Sequence, residues 1–198
     1  MPRGKRETYI ITFRRRREAR TDYRERRKLI LSPYPIYMVR RSLRYITVTF
    51  TSPRIGGDIH LVGTSSKELL KRYNWVSGRN LPAAYLTGLI AGLKAKEKGI
   101  EKAVLSLGIA WTTAASIPFA AAQGSIEAGI EIPLGEEAEV DYERIRGVHI
   151  AQYAKALKEK DPEAYHRRFS RYLALGEDPE HLPERFDEVK RMILEGGI

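Results

Sequence analysis

Between Phe13 and Lys28 the chain places nine Arg or Lys residues among sixteen, opposed only by Glu18, Asp22 and Glu25. No hydrophobic core can take in such a run, because each guanidinium would lose its hydration without gaining a partner. The natural partner is a polyanion, whose phosphates Arg grips bidentately. The stretch therefore reads as a nucleic-acid-binding arm running into a short helix. Thr21 is expected to cap that helix, with Asp22 and Tyr23 opening a first turn that runs on to Leu31. Tyr23, Ile30 and Leu31 fit an apolar edge, and Arg20, Arg24, Arg27 and Lys28 a basic one. Arg3, Lys5 and Arg6 carry the arm toward the N-terminus. The first twenty residues lack a helical period and are expected to be extended until they order on a partner. The bland alternative is a solvated basic tail or a localisation signal.

The charge distribution argues against that alternative. Residues 1–44 hold 15 Lys and Arg against 4 Asp and Glu, a net of +11, whereas residues 45–198 come to −1. An excess confined to one end is a local electrostatic footprint, not a general device for solubility. Hydrophobic residues make up 42% of the 198, enough to support a core. The longest apolar stretch, Leu81 to Leu93, is too short to span a bilayer. The N-terminus lacks the charged, apolar, small order of a signal peptide. A soluble, intracellular protein without membrane contact is expected.

After Ser32-Pro33-Tyr34-Pro35 stops the first helix, the hydrophobic period changes from helical to two. Ile36 to Arg41 and Arg44 to Phe50 read as strands joined by a tight turn at Ser42-Leu43, and Asp58 to Val62 as a third. Ile46, Val48 and Phe50 face one way, Tyr45, Thr47 and Thr49 the other. The result is an antiparallel meander with one face for helices and one free face of hydroxyls, rings and cations. Thr64 to Tyr73 reads as a short helix. Asn80 caps a long one with Pro82 in its first turn, ending at Lys98-Gly99. Its buried stripe is Tyr85, Leu86, Leu89, Ile90 and Leu93, and Gly88 and Gly92 are expected to let it approach the sheet closely. Ala103 to Leu107 suits a central strand, and Ser116 caps a further helix ending at Gly129. Three helices, Glu143–Glu159, Pro162–Leu175 and Pro183–Leu194, follow a segment with six carboxylates and no base. The fold class is α/β: a strand meander plus a further strand packed by helices on one face, with an extended basic N-terminal arm and a helical C-terminal extension. By residues, 1–31 form the arm and short helix, 32–132 the α/β core, 133–143 an acidic linker and 144–198 the helical extension.

Catalytic chemistry finds little footing. Cysteine is absent, which removes thiol nucleophiles and thiolate metal sites. His60, His149, His166 and His181 have no ligand spacing. Neither common phosphate-binding glycine loop occurs, nor a G-x-S-x-G elbow. A two-metal nuclease needs converging carboxylates, yet Asp58 is the only one between Glu25 and Glu68. No catalytic residue, metal site or cofactor is expected. RNA binding is better supported, since aromatics sit among the cations: Tyr9, Phe13 and Tyr23 on the arm, Tyr37 and Tyr45 on the strands. Trp75 lies in a loop with Asn74, Arg79 and Asn80. Rings that stack on unpaired bases beside Arg on phosphates suit structured RNA, with Tyr45 and Trp75 as the stacking platforms. Arg167, Arg168 and Arg171 form a smaller basic patch, which reads equally as a solvated helix face.

Six stretches in order, Phe13–Glu18, Thr21–Arg24 with Arg27–Ser32, Asn80–Gly88, Gly124–Pro133, Arg144–Gly147 with His149–Tyr153, and Leu182–Phe186, give the chain a resemblance to a known family. It resembles the archaeal and eukaryotic type of large-subunit ribosomal protein family eighteen, over nearly its whole length. The resemblance implies a structural, non-enzymatic protein of the cytoplasmic large ribosomal subunit that docks on 5S rRNA through its arm and sheet in the central protuberance. It further implies contacts with the large (23S-type) rRNA, the other 5S-binding protein (family five) and neighbouring ribosomal proteins. By position, the implied RNA-contacting residues are Arg14, Arg15, Arg16, Arg17, Arg20, Tyr23, Arg24, Arg27, Arg40, Arg41, Arg44, Trp75, Arg79 and Asn80. Two departures stand out: Leu43 where the family usually has Asn, and an uncharged Ile109–Ala115 loop, in which Trp111 is a candidate protein or stacking contact. The rival readings are an RNA-processing or nuclease domain, which lacks carboxylates, and a DNA-binding helix-turn-helix, which lacks a second helix after Leu31.

Overall fold

The computed structural model describes residues 11–54, 56–109 and 113–196, and the architecture is the expected α/β one. The described part of the arm holds a single helical turn, α1 (Arg14–Arg17), followed by α2 (Tyr23–Leu31). Strands β1 (Ile36–Arg41), β2 (Ile46–Ser52) and β3 (Ile59–Ser65) form the antiparallel meander. Helices α3 (Ser66–Arg72) and α4 (Leu81–Glu97) follow, then β4 (Val104–Ser106) and α5 (Ile117–Glu127). The C-terminal part holds α6 (Tyr142–Arg146), α7 (Val148–Lys160), α8 (Pro162–Arg168), α9 (Ser170–Ala174) and α10 (Leu182–Glu195).

Strand β4 pairs parallel with β1, giving the order β3-β2-β1-β4. It is therefore a three-residue edge strand, not the central one its apolar run suggested. Its apolar residues are needed because the chain before it is itself covered: Ala103 N donates to Glu131 O, and Ala103 is buried. Alternation in β2 holds as read, with Ile46, Val48 and Phe50 buried and the threonines half-buried. Arg44 and Tyr45 belong to the turn, because Ser42 N donates to Tyr45 O at 2.8 Å and Tyr45 N donates to Ser42 Oγ at 3.0 Å.

Helix α4 is buried nearly all round from Pro82 to Gly92, not along one stripe. It is enclosed by the sheet, by α5 and by the C-terminal helices, so an apolar period has no solvent face to leave polar. Gly88 and Gly92 serve α5 and not the sheet. A Cβ on Gly88 would lie 1.9 Å from Ala121 O, one on Gly92 2.6 Å from Ala128 Cβ, and one on Gly124 2.1 Å from Tyr85 O. At this backbone crossing Ser125 Oγ donates to Gly88 O at 2.7 Å, and the Tyr37 hydroxyl donates to Ala121 O at 2.8 Å. Burial pushes the Tyr37 hydroxyl pKa well up, partly offset by its hydrogen bond with Ser125.

Asn80 caps α4 as expected, its Oδ1 accepting from Ala83 N at 3.0 Å. Ser116 has the cap backbone for α5, but its hydroxyl makes no hydrogen bond there. Both helices end in Schellman motifs: Ile100 N donates to Ala95 O beyond Gly99 (φ +74°), and Ile130 N to Ser125 O beyond Gly129 (φ +100°). The acidic stretch read as a linker lays Val140 against the core, with the Gln123 side chain bonded to both Val140 N and O. Two of the three expected C-terminal helices are each split. Gly147 (φ +84°) separates α6 from α7, and a break at Phe169 separates α8 from α9. Phe169 is buried with Ala154 and Tyr165 in a small second core. Phe186 of α10 sits in the main core.

Candidate nucleic-acid interface

Residues 13–20 of the arm curl where the sequence suggested extension. Arg16 N and Arg17 N donate to Phe13 O, and the turn closes with Ala19 N on Arg16 O and Arg20 N on Arg15 O. Ala19 carries the left-handed φ of +50° that this stop requires. Every residue from Ile11 to Arg20 is exposed, so the arginines project from a local scaffold that buries nothing. Glu18 pairs with Arg14 at 3.7 Å and Arg20 at 3.1 Å, contacts worth little in solvent.

Thr21 is not the cap of α2. Asp22 is, its Oδ1 accepting from Arg24 N at 2.8 Å and Glu25 N at 3.3 Å, while Thr21 Oγ1 accepts from Arg15 Nε at 2.8 Å. A carboxylate is the better acceptor for the positive end of a helix, and Thr21 instead ties the arm to it. The apolar edge also differs: Leu29 is the buried residue, and Tyr23, Ile30 and Leu31 are exposed.

Two acids within or facing the basic run dock α2. Glu25 Oε1 accepts from Ser106 Oγ of β4 at 2.9 Å. The Arg26 guanidinium straddles Asp58 bidentately, Nη1 donating to Oδ2 at 2.7 Å and Nη2 to Oδ1. That hydrogen bond chiefly holds the Asp58 carboxyl below its usual range, with help from the nearby positive charge. Sequence reasoning missed this anchor. Its signal was present: Asp58 is the only carboxylate between Glu25 and Glu68.

Docked this way, α2 leaves a groove of about 810 Å³ against β1 and the exit of β4. Arg15, Arg20, Arg40 and Arg41 line it together with Tyr23 and Met38. Arg40 points to the sheet face on which α2 docks, with Met38, Thr47 and Thr49, as the register requires. Beyond Arg41 lies the hairpin tip, where Arg44 is exposed and Arg79 Nη1 donates to Leu43 O at 3.4 Å. Among the described residues, Arg16, Arg17, Arg24, Arg27, Lys28, Arg40, Arg41, Arg44 and Arg79 have no carboxylate within ion-pair distance. Of these nine, Arg40 and Arg41 line the groove with Arg15 and Arg20, and the others stand exposed on α1, on α2, at the hairpin tip and on the loop at Arg79.

The aromatic expectations divide. Tyr23 is exposed and its ring centroid lies 6.5 Å from that of Phe13, and Tyr45 is half-buried in the turn. Trp75, expected as a stacking platform, is only 2% exposed and packs edge-on against Phe186. The ring that a polar loop seemed to display is covered by α10. Tyr37 is likewise core, in edge contact with Phe50. The Asn80 carboxamide oxygen is occupied by its cap. Arg3, Lys5, Arg6, Tyr9 and Trp111 lie outside the described residues. Among the described residues no group of three or more acids and histidines could hold a metal ion, and no helix is long and apolar enough to cross a membrane.

Comparison with known proteins points the same way. Residues 7–102 match the family described as ribosomal large subunit proteins 60S L5 and 50S L18. The chain is 45% identical to the large ribosomal subunit protein uL18 of Staphylothermus marinus, covering 98% of this chain and 96% of that one. It is 47% identical to uL18 of Aeropyrum pernix over 98% and 91% of the two chains. With uL18 of Caldivirga maquilingensis it shares 44% identity over 94% and 91%.

Proposed function

Because the chain belongs to the uL18 family of large ribosomal subunit proteins, we propose that its basic surface binds 5S rRNA and anchors it to the large rRNA in the central protuberance. Membership makes it a structural constituent of the subunit and not an enzyme. The finer reading rests on one observation: Arg15, Arg20, Arg40 and Arg41 of the arm and sheet line one groove, with Arg44 and Arg79 exposed beyond it at the hairpin tip, while residues 45–198 come to a net of −1. Such a surface follows a folded phosphate backbone and gains affinity by releasing counterions. Arg14–Arg17, Arg20, Arg24, Arg27, Lys28, Arg40, Arg41, Arg44 and Arg79 take the phosphate contacts, and Tyr23 and Tyr45 stand beside them for unpaired bases. The large rRNA, the family-five protein and other neighbours complete the site.

Competition binding across salt tests this reading. The full chain should prefer folded 5S rRNA over unrelated RNA and duplex DNA of equal length, and keep that preference as salt rises. Affinities for the three ligands that coincide and fade together would reduce the surface to a simple polycation and refute the assignment.

A further inference from the structure

Leu43 is 88% exposed, more than any other large hydrophobic residue among those described. It stands at the tip of the β1–β2 hairpin, where it contributes nothing to the core. Exposed Arg41 and Arg44 flank it along the hairpin, and exposed Arg79 reaches its backbone carbonyl at 3.4 Å. A site for a protein partner would need a broader apolar patch than this. One exposed apolar group with cations on the same hairpin and on the adjoining loop instead matches a ligand that is anionic at its edges and apolar on its faces, which describes a nucleotide.

The tip is also held in place. Ser42 and Tyr45 close the turn through their backbone and the Ser42 hydroxyl. Ser66 Oγ, buried behind it, donates to Gly78 O at 2.7 Å and accepts from Ile46 N at 3.0 Å. Gly78 is pressed so close that a Cβ there would lie 2.6 Å from Arg44 O and 2.9 Å from the Tyr45 ring. The hairpin and the 78–80 loop are thus one rigid platform, so little ordering is needed when it meets a ligand.

We propose that Leu43 is an apolar wedge that packs on the face of an unstacked base in the RNA, while Arg41, Arg44 and Arg79 hold the phosphates around it. A base in a loop or bulge suits it, because its face is already free, whereas a duplex would first have to be unstacked. The inference rests on the rRNA-binding reading and adds a base contact to a surface otherwise made for phosphates.

The test uses the full chain and folded 5S rRNA, with Leu43→Ala and Leu43→Met compared with the parent for affinity, salt dependence, thermal midpoint and protection of bases from chemical modification. Leu43→Ala should weaken binding about five- to tenfold, because the shortened side chain no longer covers the face of the base. It should leave the salt dependence and the thermal midpoint unchanged and unmask a base that the parent protects. Leu43→Met should restore most of the affinity. Parent-like binding and protection by Leu43→Ala would overturn the wedge and leave the rRNA reading standing. A weakening accompanied by a shallower salt dependence or a lower midpoint would assign the effect to the arginines or the fold, and also overturn it. No preference of the parent for 5S rRNA would remove both.

Discussion

Replacing Gly88 with Ala probes the crossing on which the sheet and its basic face are mounted. The new Cβ would sit 1.9 Å from Ala121 O, and ordinary carbon–oxygen contact needs about 3.3 Å, so α5 must retreat by about 1.4 Å. The 2.7 Å hydrogen bond from Ser125 to Gly88 O would break, and so would the close fit of Tyr37 on Ala121. Leaving a buried polar group unpaired costs about 1–3 kcal/mol, and overpacking costs about 1–3 kcal/mol more. Against these stands the better helix propensity of Ala, about 1 kcal/mol. The net is about 3 kcal/mol of destabilisation, read as a lowered urea midpoint by far-ultraviolet circular dichroism with little change in slope. Gly124→Ala should behave likewise, because its Cβ would meet Tyr85 O at 2.1 Å. Gly135→Ala, with nothing within 4 Å of its Cβ, should stay within about 0.5 kcal/mol. The sign decides the matter. An unchanged or raised midpoint for Gly88→Ala, as an exposed helical glycine would give, refutes the backbone crossing.

Three further expectations concern the interface. Asp22→Ala should destabilise α2 by about 1 kcal/mol and speed amide exchange at Arg24 and Glu25, with Thr21→Ala much milder; the reverse order would return the cap to Thr21. Because the folded-state pKa of Asp58 is lowered, its stabilising contribution is complete above the unfolded value near about 4 and is lost as pH falls through the folded one. Asp58→Asn should therefore flatten the acid limb of stability against pH, and an unaltered limb would contradict the Arg26 anchor. Trp75→Leu should lower the thermal midpoint while 5S rRNA affinity, measured well below that midpoint, stays within about twofold; weakened binding at unchanged stability would make the ring an RNA contact after all.

What could be read from the chain follows how locally each feature is determined. Strands β1 and β2 were legible because a half-buried sheet imposes period two on its own residues. The stops at Gly99 and Gly129 were legible because a glycine that ends a helix in the left-handed conformation is a local signal. The basic surface was legible as composition, since no core accepts it. Trp75 was misread because α10 covers it, and nothing near Asn74 and Arg79 foretells Phe186. The faces of α4 could not be assigned because it is enclosed on nearly every side, so Gly88 and Gly92 gave no hint of which neighbour they admit. Helix α2 was misjudged for a similar reason: its docking depends on Asp58 and Ser106, both far along the chain.

Cross-linking the full chain to RNA in assembled large subunits, with the attached peptides and nucleotides identified, tests the central claim most directly. Peptides spanning Arg14–Lys28, Arg40–Arg44 and Arg79 should carry 5S rRNA nucleotides, with those at Leu43 in a loop or bulge. Cross-links from these peptides to the large rRNA alone, with 5S rRNA absent, would contradict the account.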